Sequence, residues 1–354
     1  LNIGIANNHI LNNFLVHIVT NFGISEFLIR IPNLLCGILY ILFILKLANN
    51  SKQYIIYSLI LLLNPYIIDF YSLSRGYGIA SLMIFISCYF YLSSNANNII
   101  VPLFFLSIAT LSYHVTVVFL ISFWLITINE LFKNYDKVRF YLINFIVLSM
   151  SLLNIFILFN ITAETRPVYG VNSLTFSQLL VGSFGLNNLY INQNVIFNSL
   201  LNVFFLVPIF LYKKFNPRHK KIILVSYLSL ILIYFIPFIF DRPYPFLRTV
   251  VPFLPPILLM ISESLNISEK YHIYNYFSPV VKIFILFLFF NFLNTIKINQ
   301  SIEWRSEFTK SEIISRDVEC NYIIPFKDLG SVGQYYRLLE GENINNQIDL
   351  DCNI

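Results

Sequence analysis

The sequence predicts an all-α, polytopic membrane protein, and three observations predict it. Only 12% of its 354 residues are charged, 57% are hydrophobic and the mean hydropathy is +0.70, whereas a soluble domain is about 25% charged. The apolar residues come in runs close to the roughly 20 residues that cross a bilayer. The basic residues fall in short stretches between those runs, the distribution described by the positive-inside rule. A large soluble core is excluded, and the net charge of +5 reads as topology, so no nucleic-acid partner is expected. The 36 Phe and 23 Tyr suit lipid contact and interfacial belts.

The chain opens on LNIGIANNHILNN, a polar stretch without a starting Met. Residues 1–26 read as part of a first extracytoplasmic loop, and the expectation is a truncated N-terminus with at least one span missing. Residues 14–22 are periodic and amphipathic. The first span covers 28–47, opening at Arg30-Ile31-Pro32 with proline in the first turn and ending at Lys46. Spans at 54–68 and 79–92 follow. Residues 99–129 are too long for one helix and carry Ser112-Tyr113-His114 at their middle; two short helices or one broken helix are expected. Residues 140–160 form a span, and 161–194 a long polar loop with an amphipathic, surface-lying piece. Spans at 195–212 and 222–240 flank the basic KKFNPRHKK. Residues 241–248 form a polar turn, and 250–262 a span that Pro252, Pro255 and Pro256 should kink. The last span is 279–296. This makes about ten spans if 99–129 crosses twice. Residues 1–298 form the membrane domain and 299–354 a small extracytoplasmic tail of ordinary charge density.

Orientation follows from the lysines. Lys46 and Lys52, then Lys133, Lys137 and Arg139, then Lys213 to Lys221, then Lys270 fall in alternate loops, which are read as cytoplasmic. The other face then receives the N-terminal loop, Asp69 to Arg75, His114, residues 161–194, residues 241–248 and the tail. The polar residues that topology does not explain therefore gather on one face and predict a site there, built from several loops.

The centre of that prediction is NPYIIDFYSLSRGYGIA, residues 64–80. It places Asp69 and Arg75 between two apolar runs, where charge is costly and tends to mark a site or a water-filled cavity. Gly76 and Gly78 allow close backbone approach. Arg75, Arg166, Arg242 and Arg248 lie on the outer face against the topological bias, and guanidinium groups are shaped to clamp phosphate by bidentate bonds. Their bland alternative is interfacial snorkelling. Candidate carboxylates on that face are Glu26, Asp69, Glu164 and Asp241, of which Asp69 could equally pair with Arg75 and Asp241 with Arg242. No Gly-rich phosphate loop, HExxH or CxxC occurs. The five His are scattered and argue no metal site; a divalent ion is left open. Cys36 and Cys88 fall inside spans, whereas Cys320 and Cys352 fall in the tail, where a disulfide could form.

Three segments together resemble a known family. Asn7-Asn8-His9 with Leu11-Asn12, Phe22-Gly23-Ile24-Ser25-Glu26 and Arg30-Ile31-Pro32 resemble the first-loop-to-helix segment of family 39-type membrane glycosyltransferases. These are relatives of protein O-mannosyltransferases and of the lipid A aminoarabinose transferase. Asn64-Pro65 through Asp69-Phe70 to Ser74-Arg75-Gly76-Tyr77-Gly78 resembles a second recurrent segment, and Arg248 with Pro252 and Pro255 their late Arg-plus-Pro helix. The resemblance runs from about residue 7 to residue 296. It implies a GT-C bundle in a bacterial inner membrane, a polyprenyl-phosphate sugar as donor, an outer-face acceptor and no cofactor. It implies that Arg75, Arg248, Arg242 and Tyr77 bind the donor phosphate, that Asn8 and His9 line the acceptor side, and that Asp69, His114 and Arg166 give support. The family's catalytic acid precedes its Asn-Asn-His segment. Residues 1–6 contain no acid, so the catalytic residue is expected upstream of Leu1, and the chain as given would lack it.

Two other readings compete. An O-antigen-type polysaccharide polymerase or ligase would also be polytopic with outer-face arginines and a long outer loop. A transporter or lipid flippase would carry inverted repeats and midplane acids, neither of which the sequence displays.

Overall fold

The computed structural model describes residues 9–23, 25–49, 51–72, 76–93, 98–164, 170–171, 195–239, 244–245, 247–271 and 274–295. They form a helical bundle. In chain order the α-helices are α1 (Ile10–Thr20), α2 (Glu26–Ala48), α3 (Tyr54–Leu62), α4 (Pro65–Ser72), α5 (Gly76–Ser93) and α6 (Ile100–Ser112). Then come α7 (Val117–Asn134), α8 (Lys137–Glu164), α9 (Val195–Phe210), α10 (Pro217–Ile239), α11 (Leu254–Lys270) and α12 (Tyr274–Thr295). Short 3-10 turns occupy His114–Thr116, Tyr212–Lys214 and Leu247–Phe253. Two-residue strands β1 (Gly170–Val171) and β2 (Tyr244–Pro245) pair antiparallel, Gly170 opposite Pro245 and Val171 opposite Tyr244.

Among the described residues, five segments are long and apolar enough to cross a membrane: Phe27–Ala48, Gly76–Ser93, His114–Asn134, Lys137–Phe156 and Val250–Ser268. The chain is thus a helical membrane protein by composition and by helix length. These segments differ in depth. Gly76–Ser93 and Val250–Ser268 are 78% and 83% buried, whereas Phe27–Ala48 and Lys137–Phe156 are only 28% and 17% buried. Helix α5 is therefore central; α2, α4, α6, α10, α11 and the 247–253 turn pack around it. Helix α8 turns Tyr141, Phe145, Leu152 and Phe156 outward, the face expected of a lipid-contacting helix.

Local chemistry sets the boundaries. The Ser25 hydroxyl caps α2 by accepting from the Leu28 amide at 3.1 Å, which starts the helix at Glu26. Pro32 therefore lies well inside α2, not in its first turn as the sequence reading expected. The expected single span at 54–68 is broken. Asn64 caps α4, its Oδ1 accepting from the Ile67 amide at 3.2 Å, and Pro65 takes the first helical position, where its missing N–H costs least. Residues 99–129 fold back on themselves: the Ile99 amide donates to the Tyr135 hydroxyl at 3.2 Å, so the start of α6 meets the end of α7. The expected two-helix alternative is the one adopted. The kink expected in 250–262 takes the form of a 3-10 turn passing into α-helix at Leu254, which leaves Pro255 and Pro256 in the tolerant first turn.

Lys46, Lys214 and Lys221 meet at one end of the bundle. Lys46 lies over the Tyr89 ring, 5.5 Å from its centroid, and Lys214 over the Tyr271 ring at 4.4 Å. Lys221 pairs with Glu130. At the same end the Tyr57 hydroxyl donates to Glu263 Oε1 at 2.7 Å, and Asn266 Nδ2 donates to Glu263 Oε2 at 3.1 Å. Asn266 Oδ1 in turn accepts from Ser51 at 2.6 Å. These contacts join the ends of α2, α5, α7, α9 and α11 to the starts of α3 and α10.

Candidate functional site

At the opposite end, three chain segments converge on Gly76. His9, just before α1, is 7% exposed, and its Nδ1–H donates to the Ser112 carbonyl oxygen, 2.9 Å away at the end of α6. That bond puts the proton of a neutral imidazole on Nδ1 and the lone pair on Nε2. The His9 ring meets Tyr77 edge-on at 4.8 Å and Tyr113 at 5.9 Å. Tyr77 and Tyr113 meet at 4.7 Å, and Phe70 packs on Tyr77 at 4.8 Å. The result is one imidazole held against two tyrosine rings, with Phe70 packed on Tyr77, drawn from the residue before α1, α4, α5 and the α6–α7 corner.

Glycine makes the convergence sterically feasible. A Cβ on Gly76 would collide with the Ser112 carbonyl oxygen and lie 2.7 Å from His9 Nδ1. A Cβ on Gly78 would lie 2.7 Å from the Phe70 carbonyl oxygen and 3.1 Å from Asn33 Oδ1. Only residues without a side chain allow α5 to start this close to α4 and α6. Beneath the aromatic cluster, the fully buried Asn33 donates from Nδ2 to Asn12 Oδ1 at 2.7 Å, tying α2 to α1. In an apolar bundle such a polar pair fixes register.

The sequence-predicted residues divide into three groups. His9 and Tyr77 are brought together, with Tyr77 2% exposed. Asp69 lies half-buried in α4, next to Phe70. His114 belongs to a separate buried network: its Nδ1 bonds Asn154 Oδ1 at 2.8 Å, and Asn154 Nδ2 donates to Thr110 at 3.2 Å and to the Met150 carbonyl at 2.8 Å. Arg248 lies in the Leu247–Phe253 turn, which packs against α4 and α5; its side chain is outside the described residues. Asn8, Arg75, Arg166, Arg242, Cys320 and Cys352 also lie outside them. Cys36 and Cys88 are free thiols within α2 and α5. Among the described residues no three His, Cys, Asp or Glu side chains gather as metal ligands.

Several participants escaped the sequence reading. Tyr113 was visible at the midpoint of the over-long run, but its place beside Tyr77 depends on the α6–α7 turn. Asn12, Asn33 and Asn154 are amides set in apolar helices, a pattern that signals a buried partner without naming it. Glu130 and Glu263 are acids set in apolar stretches of helix, and their partners come from helices distant in sequence.

No protein-family model, curated protein or solved structure matches the chain. Its class, a helical membrane protein with a polar and aromatic cluster at the end of its bundle, accordingly rests on fold and composition.

Proposed function

We propose that the chain is a GT-C-type membrane glycosyltransferase of about ten spans, which moves a sugar from a polyprenyl-phosphate donor to an outer-face acceptor. In this reading α3 and α4 together make one crossing, α6 and α7 cross separately, and the basic end faces the cytoplasm of a bacterial inner membrane. The observation that carries the proposal is the convergence of His9 on Gly76 and Tyr77. It joins the first and second resembling segments at the end of the bundle opposite the lysines. The third segment, with Arg248, belongs to the turn packed against the same helix starts. A lipid-linked donor presents its phosphate at the interface, where Arg75, Arg242 and Arg248 would neutralise the leaving group, while its isoprenoid tail needs only an apolar groove. The aromatic cluster supplies a desolvated wall beside the reacting sugar.

The test is photo-cross-linking in proteoliposomes with a polyprenyl-phosphate analogue bearing a diazirine. The reading expects labelling around Gly76 and residues 247–253 that unlabelled polyprenyl phosphate competes away. Arg248→Ala should lose the label, and His9→Ala should keep it while lowering transfer of a radiolabelled sugar in a chain that carries the expected upstream acid. Labelling that free polyprenyl phosphate does not displace would refute it. The break at Asn64 and Pro65 favours one alternative, since discontinuous helices also build transport sites. A transporter would move the labelled donor across the bilayer without yielding a transfer product.

A further inference from the structure

At the basic end, away from His9, helices α5, α7 and α10 and the approach to α6 line an open cavity of about 200 Å³. Tyr91, Asn98, Glu130, Lys133, Asn134 and Arg218 line it. The Glu130 carboxylate is already engaged: Oε2 accepts from the Tyr91 hydroxyl at 3.0 Å and Oε1 pairs with Lys221. Counting Lys221, three cations stand against one carboxylate, so the cavity carries a net positive charge. Two asparagine amides add neutral donors. This is the composition of a site for a phosphate ester, with charge-assisted bonds from guanidinium and ammonium. The volume is below the roughly 300–1,000 Å³ typical of sites that enclose a whole small molecule, so it suits a headgroup whose remainder lies outside. The cavity opens where helix ends meet the basic loops, and basic pockets between membrane helices at that level take lipid headgroups.

We propose that this cavity binds a phosphate ester, with an anionic phospholipid headgroup as its occupant. The proposal is independent of the transferase reading, whose site lies at the other end of the bundle.

The experiment uses the full chain in nanodiscs of phosphatidylcholine alone or mixed with phosphatidylglycerol, with retained lipid counted by native mass spectrometry. The wild type retains phosphatidylglycerol in preference to phosphatidylcholine. Lys133→Gln lowers that preference roughly fivefold, and adding Arg218→Gln removes it. Lys137→Gln with Arg139→Gln, two exposed cations at the same end but outside the cavity wall, leaves it intact. A parallel arm adds inorganic phosphate to phosphatidylcholine nanodiscs and follows thermal unfolding. Stabilisation there that Lys133→Gln abolishes, without lipid preference, assigns the same phosphate chemistry to a soluble ligand. Equal retention of both lipids with no phosphate effect overturns the proposal. So does an equal loss in the Lys137/Arg139 control. Lys133 is exposed, so its single substitution decides the matter even if the double variant fails to fold.

Discussion

Gly76→Ala is the sharpest probe of how α5 meets α6. The added methyl would overlap the Ser112 carbonyl oxygen and approach His9 Nδ1 to 2.7 Å and His9 Cγ to 2.8 Å. The imidazole can swing away, but the carbonyl belongs to the backbone at the end of α6 and moves only with that helix. Overpacking of this kind costs about 1–3 kcal/mol. Displacing His9 forfeits its bond to Ser112, a further loss of about 0.5–1.5 kcal/mol. The opposing gain in helix propensity is at most about 1 kcal/mol, and Gly76 is the first residue of α5, where it counts least. The net expectation is a destabilisation of about 2 kcal/mol. Equilibrium unfolding in mixed micelles, followed by the fluorescence of Trp124 in a Trp304→Phe background, would measure it. That indole donates to Asn144 Oδ1 at 2.6 Å and so reports on the contact between α7 and α8. A second signature is coupling: with His9 already displaced, His9→Ala should cost about 1 kcal/mol less in the Gly76→Ala background than in the wild type. A Gly76→Ala variant within about 0.5 kcal/mol of wild type, with strictly additive behaviour toward His9→Ala, would refute the close approach.

Other substitutions probe the remaining polar contacts. Asn33→Leu removes the donor to Asn12 in a buried setting and should destabilise by about 1–3 kcal/mol, whereas the double Asn12→Leu, Asn33→Leu variant should recover part of that loss; a double variant whose loss is the sum of the two single losses would show that the pair does not interact. Asn154→Ala strips partners from both His114 and Thr110 and should cost about 2–3 kcal/mol, read from the same unfolding curve. Asn64→Ala removes the cap of α4 and should cost about 1 kcal/mol, while Asn64→Asp should retain most of the stability. Glu130→Ala breaks the half-buried pair with Lys221 and should cost about 1–2 kcal/mol, between the values for exposed and buried pairs; added salt should shrink the difference.

What the sequence made legible follows the range over which each signal acts. Long apolar runs announced the helices, and the excess length of residues 99–129 announced the turn at Tyr113, because bilayer thickness limits a helix directly. The break at Asn64 was equally local, an Asn cap before a Pro, but the surrounding hydropathy outweighed it in the reading. Pro32 shows the converse: proline is an opening signal in the sequence, but Ser25, the better cap, starts α2 earlier. The meeting of His9 with Tyr77 was legible only as two segments assigned to one face. Their contact needs Gly76 to be accommodated against Ser112, a residue distant in sequence. Glu130 and Glu263 were missed because an acid in an apolar stretch of helix does not name its partner. Lys221 and Tyr57 reach them from other helices, and no periodicity within one helix encodes that.

The central position of α5 also sets an order in time. Its packing partners include the turn at residues 247–253 and helix α11, which are synthesised about 150 residues after α5 is complete. At translation rates this is a wait of roughly ten to thirty seconds. Through that interval Ser81, Ser87 and Cys88, buried in the finished bundle, have neighbours only from the first half of the chain. Helix α5 must therefore be apolar enough to wait in lipid and yet carry the small side chains that a tight final fit requires. The run of Ile, Phe and Tyr interspersed with Ser, Ala and Gly along α5 meets both demands.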